Sequence, residues 1–285
     1  QVSARTLRHL YRVEKVSKSV KIYGVIADPV KHSISPAVHN RGFQSRRLDA
    51  VYLPFLVPPP YLRDFMQTCD TLPIAGFSVT IPHKQRIMRY LDVIDPLARR
   101  IGAVNTVWKK AGKWRGTNTD IYGVTGPLSR KLKLAKSTVL VVGSGGAARG
   151  AVFALLDAGA KVTITGRSPD KVKFLARATG AQMALAGDVD SQYFDAVVHA
   201  TPVGMHPNEH ACYFEGEIPA DLVFDMVYNP AKTMLLARAE EQGRETIPGL
   251  EMFMEQAFRQ FEIFTGEQAP RPAMERAAIE ALGLT

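Results

Sequence analysis

Residues 140–160 read LVVGSGGAARGAVFALLDAGA, and this stretch decides the fold. The run TVLVV at 138–142 is β-branched and apolar up to Gly143, the pattern of a strand buried on both faces. Gly143, Gly145 and the small Ala148 fit G-x-G-x-x-G/A and open an apolar helix (Ala151, Val152, Ala154, Leu155, Leu156) that stops at Gly159. Strand, glycine turn and helix N-terminus together form a phosphate cradle, because glycine lets backbone approach a pyrophosphate and unpaired N–H groups point at it. An ordinary tight βα turn fits the same residues, so the flanking sequence has to decide.

Downstream, a second strand is expected at 161–165, followed by Gly166-Arg167-Ser168-Pro169. An acidic residue at this strand end would bind the ribose 2′-OH of NAD, whereas Arg accommodates the 2′-phosphate of NADP. Arg167 stands there with Ser168 beside it, and no acid appears until Asp170, so NADP is favoured. Lys171 and Lys173 alone read as a solvated helix face. Further strands are expected at 182–186, 195–199 and 222–226, with a loop at 200–206, so residues 120–248 alternate strands and helices in the number of a nucleotide-binding sheet. Residues 208–219 are polar and irregular, with no evident chemistry.

Upstream, a strand at 22–27 leads into the loop DPVKHSISP at 28–36 and a helix to about residue 47, with Pro36 in its first turn. Ser33 and Ser35 flank Ile34, an arrangement that suits either a helix cap or two hydroxyls donating to one small anion. Strands at 51–57 and 74–80 alternate with a helix from 58–60 to about 67, and the turn 80–84 precedes another helix; this order predicts a parallel sheet. Ligands of such sheets gather at the carboxyl ends of strands, where Ser33, Ser35, Thr80 and Lys84 all fall. Residues 104–109 and 113–117 form a hairpin about Ala111-Gly112, bracketed by Asn105 and Asp120, and Trp108 and Trp114 on it read as packing residues. A helix then begins near Asp120 and reaches the basic segment 131–136. Strongly apolar helices are expected at 249–264 and 273–282, and Gln256, polar within the first, needs a partner if buried.

At 285 residues and 46% hydrophobic, the chain can bury the core of one large or two medium domains. No apolar run approaches the roughly 18–20 residues of a membrane span and no signal-peptide pattern opens it, so a cytoplasmic location without membrane association is expected. The net charge of +9 is scattered without a basic, aromatic-interleaved stripe, which favours anionic small molecules over nucleic acid. Cys69 and Cys212 read as reduced buried thiols, and the seven histidines form no metal pattern, so no metal is expected.

Together the spaced motifs resemble the shikimate dehydrogenase family: Ser33-Ile-Ser35-Pro36, GFSVTIPHK at 76–84, Gly102-Ala-Val-Asn105-Thr, Asn118-Thr-Asp120, GSGGAAR at 143–149, ATPVGM at 200–205, DMVYNP at 225–230 and the Gln256 helix. The resemblance spans nearly all of residues 22–284. It implies two α/β domains: a discontinuous substrate-binding domain (22–119 plus 249–285) and an inserted Rossmann-like NADP-binding domain (120–248), with 1–21 a leading segment or linker. It further implies that Ser33 and Ser35 bind the substrate carboxylate and that Thr80, Asn105, Asp120 and Gln256 bind ring hydroxyls, with Tyr228 lining the pocket. Lys84 and Asp120 become the catalytic pair. Gly143, Gly145, Gly146, Ala147, Arg167, Ser168, Thr201, Met205 and Gly249 become cofactor-binding residues. The implied reaction is hydride transfer between NADPH and 3-dehydroshikimate, giving shikimate, by a monomer or homodimer.

Three positions depart from the family pattern: Gly166-Arg167-Ser168 where Asn-Arg-Thr is usual, His199 where Asn commonly precedes Ala-Thr-Pro, and Phe264 where Trp is frequent. The basic segment ahead of residue 22 also resembles the connector of proteins that fuse a dehydroquinate dehydratase to this enzyme. A quinate/shikimate dehydrogenase shares the motifs, and a non-catalytic metabolite sensor shares the fold. Retention of Ser33, Ser35, Thr80 and Arg167 favours the NADP-dependent shikimate enzyme over the first, and retention of Lys84 and Asp120 favours an enzyme over the second.

Overall fold

The computed structural model describes residues 3–31, 33–189 and 191–284. The chain divides into two compact units, Gln1–Thr119 with Ala257–Thr285, and Asp120–Gln256.

The first unit contains helices α1 (Ala4–His9), α2 (Ser35–Ser45), α3 (Leu62–Thr71) and α4 (Pro96–Ile101) and strands β1 (Lys21–Ala27), β2 (Ala50–Leu56), β3 (Ile74–Val79), β4 (Val93–Ile94), β5 (Thr106–Lys110) and β6 (Lys113–Thr117). The strands form one sheet in the order β2-β1-β3-β5-β6-β4. Only part of it is the expected parallel sheet. β1 runs parallel to β2 and β3, but β5 is antiparallel to β3 and β6 to β5. The reversal follows from the connection: α4 is short and ends at Gly102 in a left-handed conformation (φ 70°), so the chain re-enters the sheet from the carboxyl end of β3. Ala111 and Gly112 both take positive φ (51° and 75°), the geometry that joins two twisted strands by a two-residue turn. After Thr80 the chain forms a turn and a short 3-10 segment, Arg86–Tyr90, in place of the expected helix.

Residues ahead of β1 are more than a linker. Ser3 caps α1 through the Thr6 N–H, Tyr11 is buried, and Gln44 of α2 donates to the Leu10 carbonyl at 3.2 Å. The Ser17 hydroxyl hydrogen-bonds to Asp49 just before β2.

The second unit contains α5 (Asp120–Ser129), β7 (Thr138–Val142), α6 (Gly146–Asp157), β8 (Lys161–Thr165), α7 (Pro169–Thr179), β9 (Gln182–Met183), α8 (Ala186–Val189), β10 (Phe194–His199), β11 (Ala220–Asp225), α9 (Met234–Glu241) and β12 (Glu245–Ile247). Its six strands are all parallel in the order β12-β11-β10-β7-β8-β9. Numbered within the unit, this is the 3-2-1-4-5-6 order of the doubly wound dinucleotide-binding fold. Val139–Val142 are fully buried, as a strand covered on both faces demands. α5 stops at Ser129, short of the basic segment, and the expected strand at 182–186 is only two residues long before α8.

Last come α10 (Gly249–Thr265) and α11 (Arg271–Ala281). The boundary between units falls within α10, where the sequence placed it at 248/249. The early turns of this helix serve one core and the later turns the other. Met252 packs in the core of β7, α6 and β10, whereas Phe261 packs on Phe43 and Phe264 on Tyr23, each pair of rings tilted. α11 packs against α2. Of the two cysteines, Cys69 is buried and Cys212 only half-buried, which corrects the expectation for the latter; both are free thiols.

Candidate active site

In the first unit, several predicted site residues cluster at the carboxyl ends of β1 and β3. Ser33 and Ser35 lead into α2, with Ser35 buried and its N–H donating to Ser33 Oγ at 3.3 Å. Thr80 follows β3 directly, and its N–H donates to the Ile26 carbonyl of β1 at 3.2 Å. Lys84 is fixed through its backbone, its carbonyl accepting the Val104 N–H at 2.8 Å, and the Val79 N–H donates to the Asn105 carbonyl at 2.7 Å. Between them, the buried His83 ring bonds the Val57 carbonyl at 2.6 Å, and desolvation lowers its pKa. The 80–84 turn is therefore anchored to the ends of β1, β2 and β5.

Behind these residues runs a buried polar chain that the sequence did not reveal. The Tyr52 hydroxyl donates to Ser78 Oγ at 2.6 Å, and Ser78 donates to Gln260 Oε1 at 2.7 Å. Gln260 Nε2 in turn donates to the Asn105 carbonyl at 3.2 Å and to Thr106 Oγ1 at 3.1 Å. From the Tyr52 phenol the chain thus runs through Ser78 and Gln260 to the Asn105 carbonyl and Thr106. Burial keeps that phenol protonated, far above its usual range. The His39 ring stacks on Tyr52 (4.4 Å between centroids, 8° between planes), and burial drives its pKa to about 3, partly offset by Gln260. Gln260 lies one turn beyond Gln256 on the same helix face, a spacing that gave the signal but not the assignment.

The Asn105 side chain is buried. Its Oδ1 accepts the Thr119 N–H and the Thr106 hydroxyl, both at 2.7 Å, and its Nδ2 donates to Thr119 Oγ1 at 3.0 Å.

In the second unit, Asp120 is the first residue of α5 and is buried. Gly143 adopts φ +127°, and a Cβ there would lie 3.0 Å from the Ala200 carbonyl and 3.2 Å from Thr201 Cγ2, so only glycine fits. Its N–H donates to the Thr165 carbonyl at 2.8 Å, joining β7 to β8. A Cβ on Gly145, the N-cap of α6, would meet no protein atom within 4 Å. With Gly146 and Ala147 in its first turn and no acidic residue there, the head of α6 is open to an anion. Arg167 is exposed just past β8, and Ser168, the N-cap of α7, makes no side-chain cap bond. These residues fit a dinucleotide with a phosphorylated ribose: an unfilled glycine cradle, an open helix head, and Arg in the place of an acid.

Thr201 is held by the imidazole of His199 at 2.6 Å, and Met205 is 41% exposed at the end of the same loop. Gly249 is explained by packing, because a Cβ there would collide with the Val227 carbonyl. Tyr228 is half-buried with its ring 4.9 Å from Phe253, and burial pushes its phenol up to about 12. Gln256 finds its partner within the helix, Nε2 donating to the Phe253 carbonyl at 2.9 Å. No cluster of metal ligands and no helix long and apolar enough to cross a membrane occurs among the described residues.

A doubly wound, dinucleotide-binding type of unit inserted into a second α/β unit defines the general class. Family models match three stretches: the shikimate dehydrogenase substrate binding domain at residues 25–107, shikimate/quinate 5-dehydrogenase at 128–202 and the shikimate 5′-dehydrogenase C-terminal domain at 249–279. A shikimate dehydrogenase (NADP(+)) of Oleidesulfovibrio alaskensis is 39% identical over 257 residues, 88% of this chain and 91% of that protein. The bifunctional 3-dehydroquinate dehydratase/shikimate dehydrogenase of Arabidopsis thaliana is 38% identical over 95% of this chain, which spans about half (48%) of that relative's length. Among solved structures, the shikimate 5-dehydrogenase of Thermus thermophilus in complex with NADP(H) and shikimate superposes with a TM-score of 0.85 at 32% identity, covering 92% of this chain and 100% of that one. The chain belongs to the shikimate dehydrogenase family.

Proposed function

We propose that this chain is an NADP-dependent shikimate dehydrogenase that reversibly reduces the ketone of 3-dehydroshikimate to shikimate. One observation carries the reading: the glycine cradle at Gly143 and Gly145 is combined with Arg167, and not an acid, past β8, in a chain of this family. In this reading Gly143, Gly145, Gly146 and Ala147 receive the pyrophosphate, Arg167 and Ser168 the 2′-phosphate, and Thr201, Met205 and Gly249 the nicotinamide end. When bound, NADPH supplies the hydride.

The chain's own groups do the rest. Ser33 and Ser35 present hydroxyls to the substrate carboxylate. Thr80, Asn105, Asp120 and Gln256 take the ring hydroxyls, and Tyr228 closes the pocket. Reduction of a ketone builds negative charge on its oxygen; the Lys84 ammonium stabilises that charge and helps deliver the proton that completes the alcohol, while Asp120 orients both the ammonium and the hydroxyl. The polar chain through Tyr52, Ser78 and Gln260 supports this role by holding the Asn105 backbone and Thr106 in fixed positions. A dehydroquinate dehydratase fused ahead of this chain is the finer proposal, supported by the Arabidopsis relative and checked by reading the full coding sequence.

The test is chemical. Incubating the protein with shikimate and NADP yields 3-dehydroshikimate and NADPH in equal amounts; absence of that product from correctly folded protein overturns the proposal.

A further inference from the structure

His199 occupies the last position of β10 and is buried, 1% exposed. Its ring spans two loops. Nδ1 lies 2.9 Å from Asp225 Oδ1, at the end of the neighbouring β11, and Nε2 lies 2.6 Å from Thr201 Oγ1. Asp225 is itself fully buried and firmly held, accepting the Thr233 hydroxyl at 2.6 Å and the Val227 N–H at 3.1 Å. In a neutral imidazole whose Nδ1–H donates to the carboxylate, Nε2 is the acceptor and the Thr201 hydroxyl donates to it. Thr201 Oγ1 meanwhile accepts the Val203 N–H at 3.2 Å, which closes the start of the 201–205 loop.

The other end of Thr201 reaches the cradle. Its Cγ2 is 3.2 Å from where a Cβ on Gly143 would stand, and the Ala200 carbonyl is 3.0 Å from the same point. β7 and β10 are adjacent in the sheet, and the strand order reverses between them, the place where this fold collects ligands. The floor of the glycine turn is therefore set by a residue whose own rotamer is fixed by His199.

We propose that His199, anchored by Asp225, is a positioning residue for the cofactor: by bonding the Thr201 hydroxyl it fixes the Thr201 methyl beneath Gly143 and the 201–205 loop beside it. This role rests on the proposed NADP-binding function. An imidazole suits it because its two nitrogens reach in different directions, one to each loop. An Asn at this position retains a donor for Asp225 but places no atom where Nε2 lies.

The experiment measures NADPH dissociation constants by the cofactor's fluorescence, with steady-state kinetics, for the full chain and for His199→Asn, Thr201→Val, Thr201→Ser and the double variant His199→Asn/Thr201→Val. Both His199→Asn and Thr201→Val are expected to weaken NADPH about tenfold and raise KM for NADP, and for His199→Asn the kcat and the KM for shikimate stay within threefold. The double variant loses no more than either single one, because each breaks the same link. Thr201→Ser keeps the hydroxyl, and with it the closed start of the 201–205 loop, and is expected to lose less NADPH affinity than Thr201→Val. Should His199→Asn fail to fold, as judged by its thermal transition, the Thr201 pair carries the test. Unchanged NADPH affinity in Thr201→Val, additive losses in the double variant, or equal losses in Thr201→Ser and Thr201→Val overturn the positioning role while leaving the dehydrogenase reading intact. A parent protein that binds no NADPH overturns both.

Discussion

Asn105 Oδ1 accepts the backbone N–H of Thr119 at 2.7 Å, and Asp120 is the next residue in the chain. The bond ties the side chain at the start of the hairpin to the backbone just after it. Asn105 also accepts the Thr106 hydroxyl, which Gln260 holds from the other side. Asn105→Ala leaves a buried N–H and a buried hydroxyl without this acceptor. A loss of about 3 kcal/mol of stability is expected, with turnover of shikimate abolished or nearly so. Chemical denaturation with parallel rate measurements checks it; a stable and active Asn105→Ala protein contradicts the assignment.

Gly145→Ala separates folding from cofactor binding. The added Cβ meets no protein atom within 4 Å and the backbone has ordinary negative φ (−78°), so the thermal midpoint stays within a degree or two of the parent. The methyl nevertheless intrudes where the pyrophosphate approaches the head of α6, and NADPH affinity falls at least tenfold, about 1.4 kcal/mol. Gly143→Ala, by contrast, lowers both, because φ +127° and the Ala200 carbonyl forbid the side chain.

Arg167 is exposed, so its charge is of little consequence to the fold and of direct consequence to a 2′-phosphate. Arg167→Ala is expected to lower kcat/KM for NADP by about ten- to a hundredfold, equivalent to about 1.4–2.7 kcal/mol, while kcat/KM for NAD changes less than threefold. Added salt narrows the difference. Equal loss with both cofactors contradicts a phosphate-specific role.

His39 gives the fold an acid limit. In the folded protein it remains neutral down to about pH 3, whereas an exposed imidazole in the unfolded chain titrates near 6.5. The unfolded state therefore binds the extra proton below pH 6.5, and stability that is complete above this value is lost as pH falls toward the folded pKa. Between pH 7 and pH 5 the loss amounts to about 2 kcal/mol. His39→Phe keeps a ring against Tyr52 and removes the titration, so denaturation curves at the two pH values lie closer together by about that amount. An unchanged pH dependence excludes His39 as the source.

How far the sequence carried the fold depended on the kind of element. β7 and β8 were legible to the residue because a buried parallel strand reads as one apolar run ending in a glycine turn. The short edge strands β4 and β12 were not, since two or three residues carry no periodicity, and β9 was expected but drawn three residues too long. Nor was the antiparallel hairpin's place in the sheet, which is set by where α4 ends. Within the site, Ser33, Ser35, Thr80 and Lys84 were legible as residues following strands. Gln260 was not, because only its partners across the core, Ser78 and Thr106, mark it out from the rest of its helix. His199 and Asp225 are 26 residues apart, and only the adjacency of β10 and β11 brings them together.

The most direct measurement of the central claim compares kcat/KM for four pairings: shikimate or quinate, each with NADP or NAD. The account predicts that shikimate with NADP exceeds every other pairing, and exceeds quinate with NAD by about a hundredfold or more, the combined discrimination expected of a hydroxyl-reading substrate site and of Arg167. A larger value for quinate with NAD, or no turnover with any pairing by folded protein, contradicts it.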